Sequence, residues 1–449
     1  MKNHVTLTRF SRKAMVLVSA LAVAGLAATA LPAQAADPGV TDSEIVLGMQ
    51  LPQTGAASPG YNKIDDAMRA YFDYVNSKGG VYGRSIKLEV KDDVYSAGRT
   101  ISTASSLIND SKVFAMVGSV GTQTHSAVIK DLNRRGIPDL FVNSGNSGFY
   151  TDPKKYPTSF AGLGTYVVEA KILGKYIKET FPDKKVGILY QTDDFGKNAM
   201  TGFGYAGLVF ERGKTSATFV AGTHGSLGLT SQVKQLQDNG VQVVIIAAVA
   251  SATAVAIAAA KGLGYAPDKW VVISVGSDAT TFQTILYSKK IPLALSASWL
   301  TGVISASHAP AAGDAADEYV KAFKQINTDF NKGADKVWDN NVLQGMNIAY
   351  QTVAALQGVG KDLTRKALIN WMETKGSTLT SAALAPVGFS KTSHEAYTGF
   401  WIGAYDASTV LQPVGASRVV YTTDSAKGLV TVSTFKRPAI AADALPKAK

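Results

Sequence analysis

From residue 45 onward, short apolar runs rich in β-branched residues alternate with longer helix-type segments, and that alternation leaves few folds open. Strand-type runs fall at 45–50, 85–91, 113–117 and 139–142, with helix-type segments at 65–76, 97–108 and 122–134 between them. Lys78-Gly79-Gly80 ends the first of these helices. Residues 143–164, rich in Gly, Pro, Ser and Tyr, interrupt the rhythm. It then restarts with a helix at 165–181, closed by Pro182, and continues as strand 185–190, helix 196–211, strand 215–220 and helix 230–239. Strand 241–249, helix 251–263 and strand 270–275 complete the second series. After Gly276 the pattern reads as helical, at 314–327, 337–356 and 365–372, before a short β-rich tail. Strands alternating with helices imply parallel sheets covered on both faces. Two such series in 449 residues, more than one core usually organises, imply an α/β chain of two doubly wound parallel-sheet lobes.

The stretch 241–260 (VQVVIIAAVASATAVAIAAA) is nearly free of charge and long enough to imitate a membrane span. Its halves differ, however. The first is β-branched, as a strand buried on both faces requires, and the second is an alanine-rich helix that Ser251 is placed to cap and that Gly262 and Gly264 stop.

The chain has no cysteine, which excludes disulfides, thiolate metal sites, a cysteine nucleophile and a lipid-bearing cysteine. Lys2, Arg9, Arg12 and Lys13 supply four of the eleven excess positive charges, and no acid accompanies them in the first 35 residues. Elsewhere the charges are interspersed, without a basic stripe, so nucleic acid is not an expected partner. The basic start, the apolar run 14–31 and the small-x-small site Ala33-Gln34-Ala35 read as a secretory signal peptide cleaved before Ala36. The expected location is periplasmic or extracellular, soluble once the leader is removed.

Enzyme and cofactor signatures fail on context. Gly202-Phe203-Gly204-Tyr205-Ala206-Gly207 fits the dinucleotide spacing but falls inside a helix rather than between a strand and a helix start, so close helix packing explains it. The five histidines share no metal-ligand spacing, and no serine elbow is present. Asp92-Asp93 and Asp193-Asp194 point to opposite sides as neighbours on a strand and suit helix capping. We therefore expect no catalytic residue, no metal and no cofactor.

Two facing doubly wound sheets bind small ligands outside the carboxyl ends of their strands. That places the chemistry at 51–61, 118–123, 143–147, 191–196, 248–251 and 276–280. Gly121-Thr122-Gln123-Thr124 opens a helix directly after a strand, where bare N–H groups and hydroxyls suit an anionic group. Asn143-Ser144-Gly145-Asn146-Ser147 offers the same after the next strand. Plain N-capping by Thr122 and ordinary turn formation are the competing explanations.

Several stretches together resemble the periplasmic solute-binding proteins of ABC importers, type I periplasmic binding protein fold, in the leucine/isoleucine/valine-binding branch. These are Ile45-Val46-Leu47-Gly48, Thr54-Gly55, Asn76-Ser77-Lys78-Gly79-Gly80-Val81-Tyr82-Gly83-Arg84, Lys91-Asp92-Asp93, Val117-Gly118-Ser119, Gly136-Ile137-Pro138 and Asp193-Asp194-Phe195-Gly196. Val387-Gly388-Phe389 and Tyr397-Thr398-Gly399 extend the match toward the end. The resemblance implies three crossings, near residues 160, 285 and 385. Lobe one is then 36–160 plus 286–385, lobe two 161–285 plus 386–436, and 437–449 a loose tail. It also implies a ligand carboxylate held by Gly121, Thr122 and Ser144-Gly145-Asn146-Ser147, with Phe195 supplying an aromatic face from lobe two. The branch's usual acid for a ligand ammonium is displaced here to Asp278, after Ser277, and its usual tyrosine is replaced around Ser251. The ligand-facing set is thus Tyr61, Gly121, Thr122, Gln123, Ser144, Gly145, Asn146, Ser147, Phe195, Ser251, Ser277 and Asp278. The implied role is a monomeric receptor that delivers an amino acid, amide or small carboxylate to ABC permease subunits. The alternative is the ligand-sensing subunit of a signalling receptor; because the sequence runs to Lys449 without a signalling module, that role needs a separate partner.

Overall fold

The computed structural model describes Met1, residues 37–333 and residues 336–446. The expected leader and its cleavage before Ala36 lie, Met1 apart, outside the described residues.

The first series forms β1 (Glu44–Leu51), α1 (Ile64–Ser77), β2 (Ser85–Asp92), α2 (Ala97–Asn109) and β3 (Ala115–Val117). It continues as α3 (Thr122–Ser126), α4 (Ile129–Arg134), β4 (Asp139–Val142) and β5 (Ser159–Ala161). The five strands pair in parallel in the order β2-β1-β3-β4-β5, with Leu47 opposite both Leu88 and Ala115. The single helix expected at 122–134 is two short ones.

The second series gives α5 (Tyr166–Thr180), β6 (Val186–Gln191), α6 (Asp194–Tyr205), β7 (Ser216–Phe219), α7 (His224–Leu227) and α8 (Thr230–Asp238). Then come β8 (Val243–Ala247), α9 (Ala250–Gly262), β9 (Lys269–Val272), α10 (Ala279–Ser288), α11 (Leu293–Leu300) and β10 (Ile304–Ser307). After α12 (Glu318–Phe330), α13 (Asn340–Val359) and α14 (Arg365–Lys375), the chain returns as β11 (Gly399–Tyr405), β12 (Leu411–Pro413), β13 (Val420–Thr422) and β14 (Thr431–Val432). The second sheet runs β14-β13-β11-β10-β9-β8-β6-β7, with β12 on β11.

Burial follows the sequence pattern. In β8, Val243, Ile245 and Ala247 pack toward α5 and α6, while Val244 and Ile246 pack toward α8, α9 and α10. A strand covered on both faces needs branched apolar residues at every position, which is why 241–260 resembled a span. Among the described residues, no helix is long and apolar enough to cross a membrane. Gly202 lies within α6, where an added Cβ would stand 2.6 Å from the Ala170 Cβ on α5, so its role is helix packing.

Three expectations are corrected here. Residues 304–307 form a strand, parallel to β9 and antiparallel to β11, so the chain leaves the second sheet after Ser307 rather than near residue 285. Ile304-Ser305-Ala306-Ser307 carries one branched residue, and the buried Ser305 hydroxyl is satisfied by the Val272 carbonyl at 2.7 Å, so no apolar run announced it. The segment from Arg437 is not loose as far as residue 446. Arg437 pairs with Asp317, the cap of α12, at 2.5 Å and donates to the Ala382 carbonyl, and the Tyr71 hydroxyl donates to the Ala444 carbonyl at 2.7 Å. Ser251 does not cap α9: Val249 holds that position, and the Ser251 hydroxyl bonds His224 Nε2 at 2.8 Å.

Candidate functional site

Nearly every loop that follows a parallel strand contributes a wall to one cavity of about 50 Å³. Tyr61 follows β1, Tyr95 follows β2, Gly121 follows β3, Asn143 follows β4 and Leu163 follows β5. Phe195, Val249 and Val275 follow β6, β8 and β9, and Tyr166, Asn341 and Gln344 complete the lining. Strand carboxyl ends are where two doubly wound sheets leave backbone groups and side chains open to a ligand.

Rings dominate the walls. Thr165 caps α5 and places Tyr166 in its first turn, where the Tyr166 N–H donates to the Gly145 carbonyl at 2.8 Å. Gly145 is tightly packed against this ring, since an added Cβ would lie 2.7 Å from it. Asp193 caps α6 and sets Phe195 against Tyr166, with ring centroids 4.2 Å apart. The Tyr61 hydroxyl crosses to the Val275 carbonyl at 3.3 Å. Burial raises all three tyrosine hydroxyls, Tyr166 to about 12, so they stay neutral donors and acceptors. No Asp, Glu, Lys or Arg lines this cavity among the described residues.

The two loops proposed to hold an anion are used differently. Gly121, at φ +113°, is the N-cap residue of α3, in place of Thr122, and lies on the cavity wall. Thr122 is buried behind it: its Oγ1 shares hydrogen bonds with Ser144 Oγ at 2.7 Å and the Tyr166 hydroxyl at 3.4 Å. Asn146 and Ser147 turn away from the cavity toward Asn198 on α6. Asn198 Oδ1 accepts from the Ser147 N–H at 2.9 Å and the Ser147 hydroxyl at 2.7 Å, while its Nδ2 donates to Asn146 Oδ1 at 3.1 Å. These three bonds tie the first sheet's loop to the second sheet's helix.

A second space of about 90 Å³ adjoins the first and shares Leu163, Val275, Asn341 and Gln344 with it. Ser277 and Asp278 line it. Asp278 Oδ2 caps α10 by accepting from the Thr281 N–H at 2.8 Å and from its hydroxyl at 2.6 Å. Nearby, Asp339 caps α13 and pairs with Lys63; burial, with Asp278 adding to it, raises the Asp339 carboxyl to about 6.

Of the twelve residues expected to face ligand, Tyr61, Gly121 and Phe195 line the aromatic cavity, and Ser277 and Asp278 the adjoining one. Thr122, Ser144 and Gly145 stand behind Tyr166; Asn146 and Ser147 bind Asn198; Gln123 and Ser251 line neither space. Tyr95, Tyr166 and Gln344 were missed. Tyr95 carried a usable signal, since it lies just beyond a strand end, after Asp92-Asp93. Gln344 sits inside a long helix and is placed only by packing, where its Nε2 donates to Asn143 Oδ1 and the Gly162 carbonyl.

Two strand-and-helix sheets with a ring-walled cavity at their carboxyl ends place a candidate site where doubly wound sheets bind small molecules. The chain belongs to the periplasmic binding protein family: the family model of that description matches residues 44–409. The Leu/Ile/Val-binding protein homolog 3 of Brucella melitensis is 23% identical over 202 residues, which is 45% of this chain and 54% of that protein. The chain spans about half the length of the curated relatives it matches. Among solved structures, a branched chain amino acid ABC transporter from Thermus thermophilus with bound valine superposes with a TM-score of 0.72 at 18% identity, covering 86% of this chain and 98% of that one. A fatty acid ABC transporter substrate-binding protein from Thermomonospora curvata also gives 0.72, at 20% identity, covering 90% and 97%.

Proposed function

We propose that this chain is an extracytoplasmic solute-binding receptor, not an enzyme, which captures one small molecule between two lobes and hands it to the permease of an ABC importer. The observation that carries this reading is the cavity walled by loops from both sheets, with four rings and no charged side chain. Such a site takes a small amino acid, amide or carboxylate whose apolar body contacts the rings and whose polar group meets neutral donors. One lobe is the first sheet with the segment from 308 to about 385. The other runs from 162 to 307 and resumes near 386. The protein acts as a monomer and needs no cofactor. Relatives named for binding leucine, isoleucine and valine, and solved ABC-transporter proteins of the same fold, support the uptake role.

A thermal-shift screen of the leaderless protein against amino acids, amides, aromatic acids and short fatty acids tests the reading. A true ligand at one hundred times its Kd adds about 2.7 kcal/mol of stability. It also keeps the scattering profile compact, since ligand holds the lobes together. A silent screen, with profiles unchanged by every solute, sinks the proposal.

A further inference from the structure

At the end of α10 the chain turns through Lys289-Lys290-Ile291-Pro292 into α11, and from Ala279 to Gly313 it carries no Asp or Glu. Large apolar side chains stand out of the surface here: Tyr287 is 63% exposed, Leu293 53% and Leu295 46%. The whole first turn of α11, Leu293-Ala294-Leu295, faces outward, where a globular protein ordinarily lays such a run on its core. Four lysines frame it. Lys289 and Lys290 lie in the turn, and Lys261 holds its Nζ 5.9 Å from the ring centre of Trp299 on α11. Lys269 reaches to 3.8 Å from where a Cβ on Gly302 would stand, just past the end of α11. None of the four pairs with a carboxylate among the described residues. By contrast, Lys234 on α8 bonds Asp238 at 2.8 Å, and Asp268, beside Lys269 in sequence, is taken by Lys184 at 2.7 Å. This corner is remote from ligand. Asp278 starts α10 beside the ligand spaces, and the helix runs back along the sheet toward the strands' amino ends, where Lys269 opens β9.

We propose that this corner is a membrane-contact face, resting on an anionic phospholipid surface with Tyr287, Leu293 and Leu295 in the headgroup layer and the lysines on lipid phosphates. Exposed apolar side chains flanked by lysines, with no acid among them, suit a surface that is apolar beneath and negative above. A protein interface is depleted in lysine and needs carboxylates placed to match, so lipid fits better. The chain has no cysteine to carry a lipid, and this face gives it a weak, reversible hold on the membrane with the ligand spaces left clear. The inference goes beyond the receptor reading and does not depend on it.

Lys290 provides the test. It sits at φ +67°, its N–H on the Tyr287 carbonyl at 2.9 Å and the next N–H, of Ile291, on the Leu286 carbonyl at 3.0 Å. Glycine adopts that conformation without strain, so Lys290→Gly removes the charge and keeps the turn. The leaderless protein is sedimented with vesicles of phosphatidylglycerol and phosphatidylcholine in equal parts, and with vesicles of phosphatidylcholine alone. Binding is expected to the mixed vesicles only, and to weaken as salt is added. Lys290→Gly should melt no lower than the parent and bind about five-fold more weakly, and with Lys289→Gln added about twenty-five-fold. Leu293→Ser with Leu295→Ser should cost about ten-fold or more at an unchanged melting temperature, because both side chains are already exposed. Melting shifts induced by solute should be the same in all variants, which separates this face from the receptor reading. Absence of binding to the mixed vesicles overturns the proposal and turns attention to a protein partner. Binding that survives loss of both lysines overturns it too, as does binding that survives the leucine pair, since charge alone would then account for it.

Discussion

The loops at residues 120–124 and 143–147 follow neighbouring parallel strands and are both built of glycine with uncharged polar residues, yet the fold uses them for different tasks. The first brings Gly121 to the cavity wall and buries the Thr122 hydroxyl behind it. The second ties Asn146 and Ser147 to Asn198 on a helix of the other sheet. The first loop only shapes the space a ligand occupies, whereas the second gives Asn143 to the same wall and also fastens the two sheets around it. A polar loop at a strand end thus has two possible customers, ligand and opposite wall, and only the approach of the second sheet selects between them.

Four experiments sharpen or break that contrast. The largest effect is expected on the wall side. Phe195 is 1% exposed and packed at a tilt against Tyr166, so Phe195→Ala should cost about 3–5 kcal/mol in urea unfolding and remove most ligand-dependent stabilisation. An unchanged ligand-induced melting shift places the ligand elsewhere.

Gly121→Ala comes next. At φ +113° an added Cβ is strained and stands 2.8 Å from the Tyr95 ring, besides meeting Thr124 Oγ1. We expect a loss of about 1–3 kcal/mol together with weaker binding. Unchanged affinity would separate this loop from the ligand.

Asn198→Ala should behave differently. It removes three bonds between the sheets, each worth about 0.5–1.5 kcal/mol net, so affinity should fall at least about ten-fold through faster release while the empty protein melts almost as before. A large drop in melting temperature without ligand would mean that the loop is fastened as part of the fold and not as part of closure.

The last experiment concerns Glu169 on α5, whose carboxyl accepts from the Ser274 N–H at 2.5 Å and bonds the Ser274 hydroxyl at 2.8 Å. Burial raises it to about 8, against hydrogen bonds that favour the charged form. The folded chain therefore holds this proton at pH values where the unfolded chain has lost it. Stability falls as pH rises from the ordinary carboxyl range toward 8, by up to about 1.4 kcal/mol per pH unit. Glu169→Gln should flatten that decline between pH 6 and 7. A decline as steep in the variant as in the parent would assign it to another group.

Much of the fold was legible because its signals are local. The doubly branched run of β8 and the small residues of α6 report backbone preference and burial directly. β10 was hidden because Ser305 satisfies its hydroxyl on the neighbouring strand, so it needs no apolar side chain there. The site was less legible. Tyr61, Gly121 and Phe195 were marked by their strand-end positions, whereas Tyr166 was read only as part of a helix. Its ring became a wall because the passage from β5 into α5 sets it between Gly145 and Phe195.

By itself, the sequence determined the alternation of strands and helices, two parallel sheets, the loops at their carboxyl ends and the absence of thiol chemistry. These follow from side-chain period, turn residues and composition, which act over a few residues. Tertiary structure alone decided that Asn198 meets Asn146 and Ser147, and that the chain from Arg437 to 446 packs on the first sheet's helices. Each depends on groups far apart in the chain, whose distance is set by how whole sheets pack and not by any local preference.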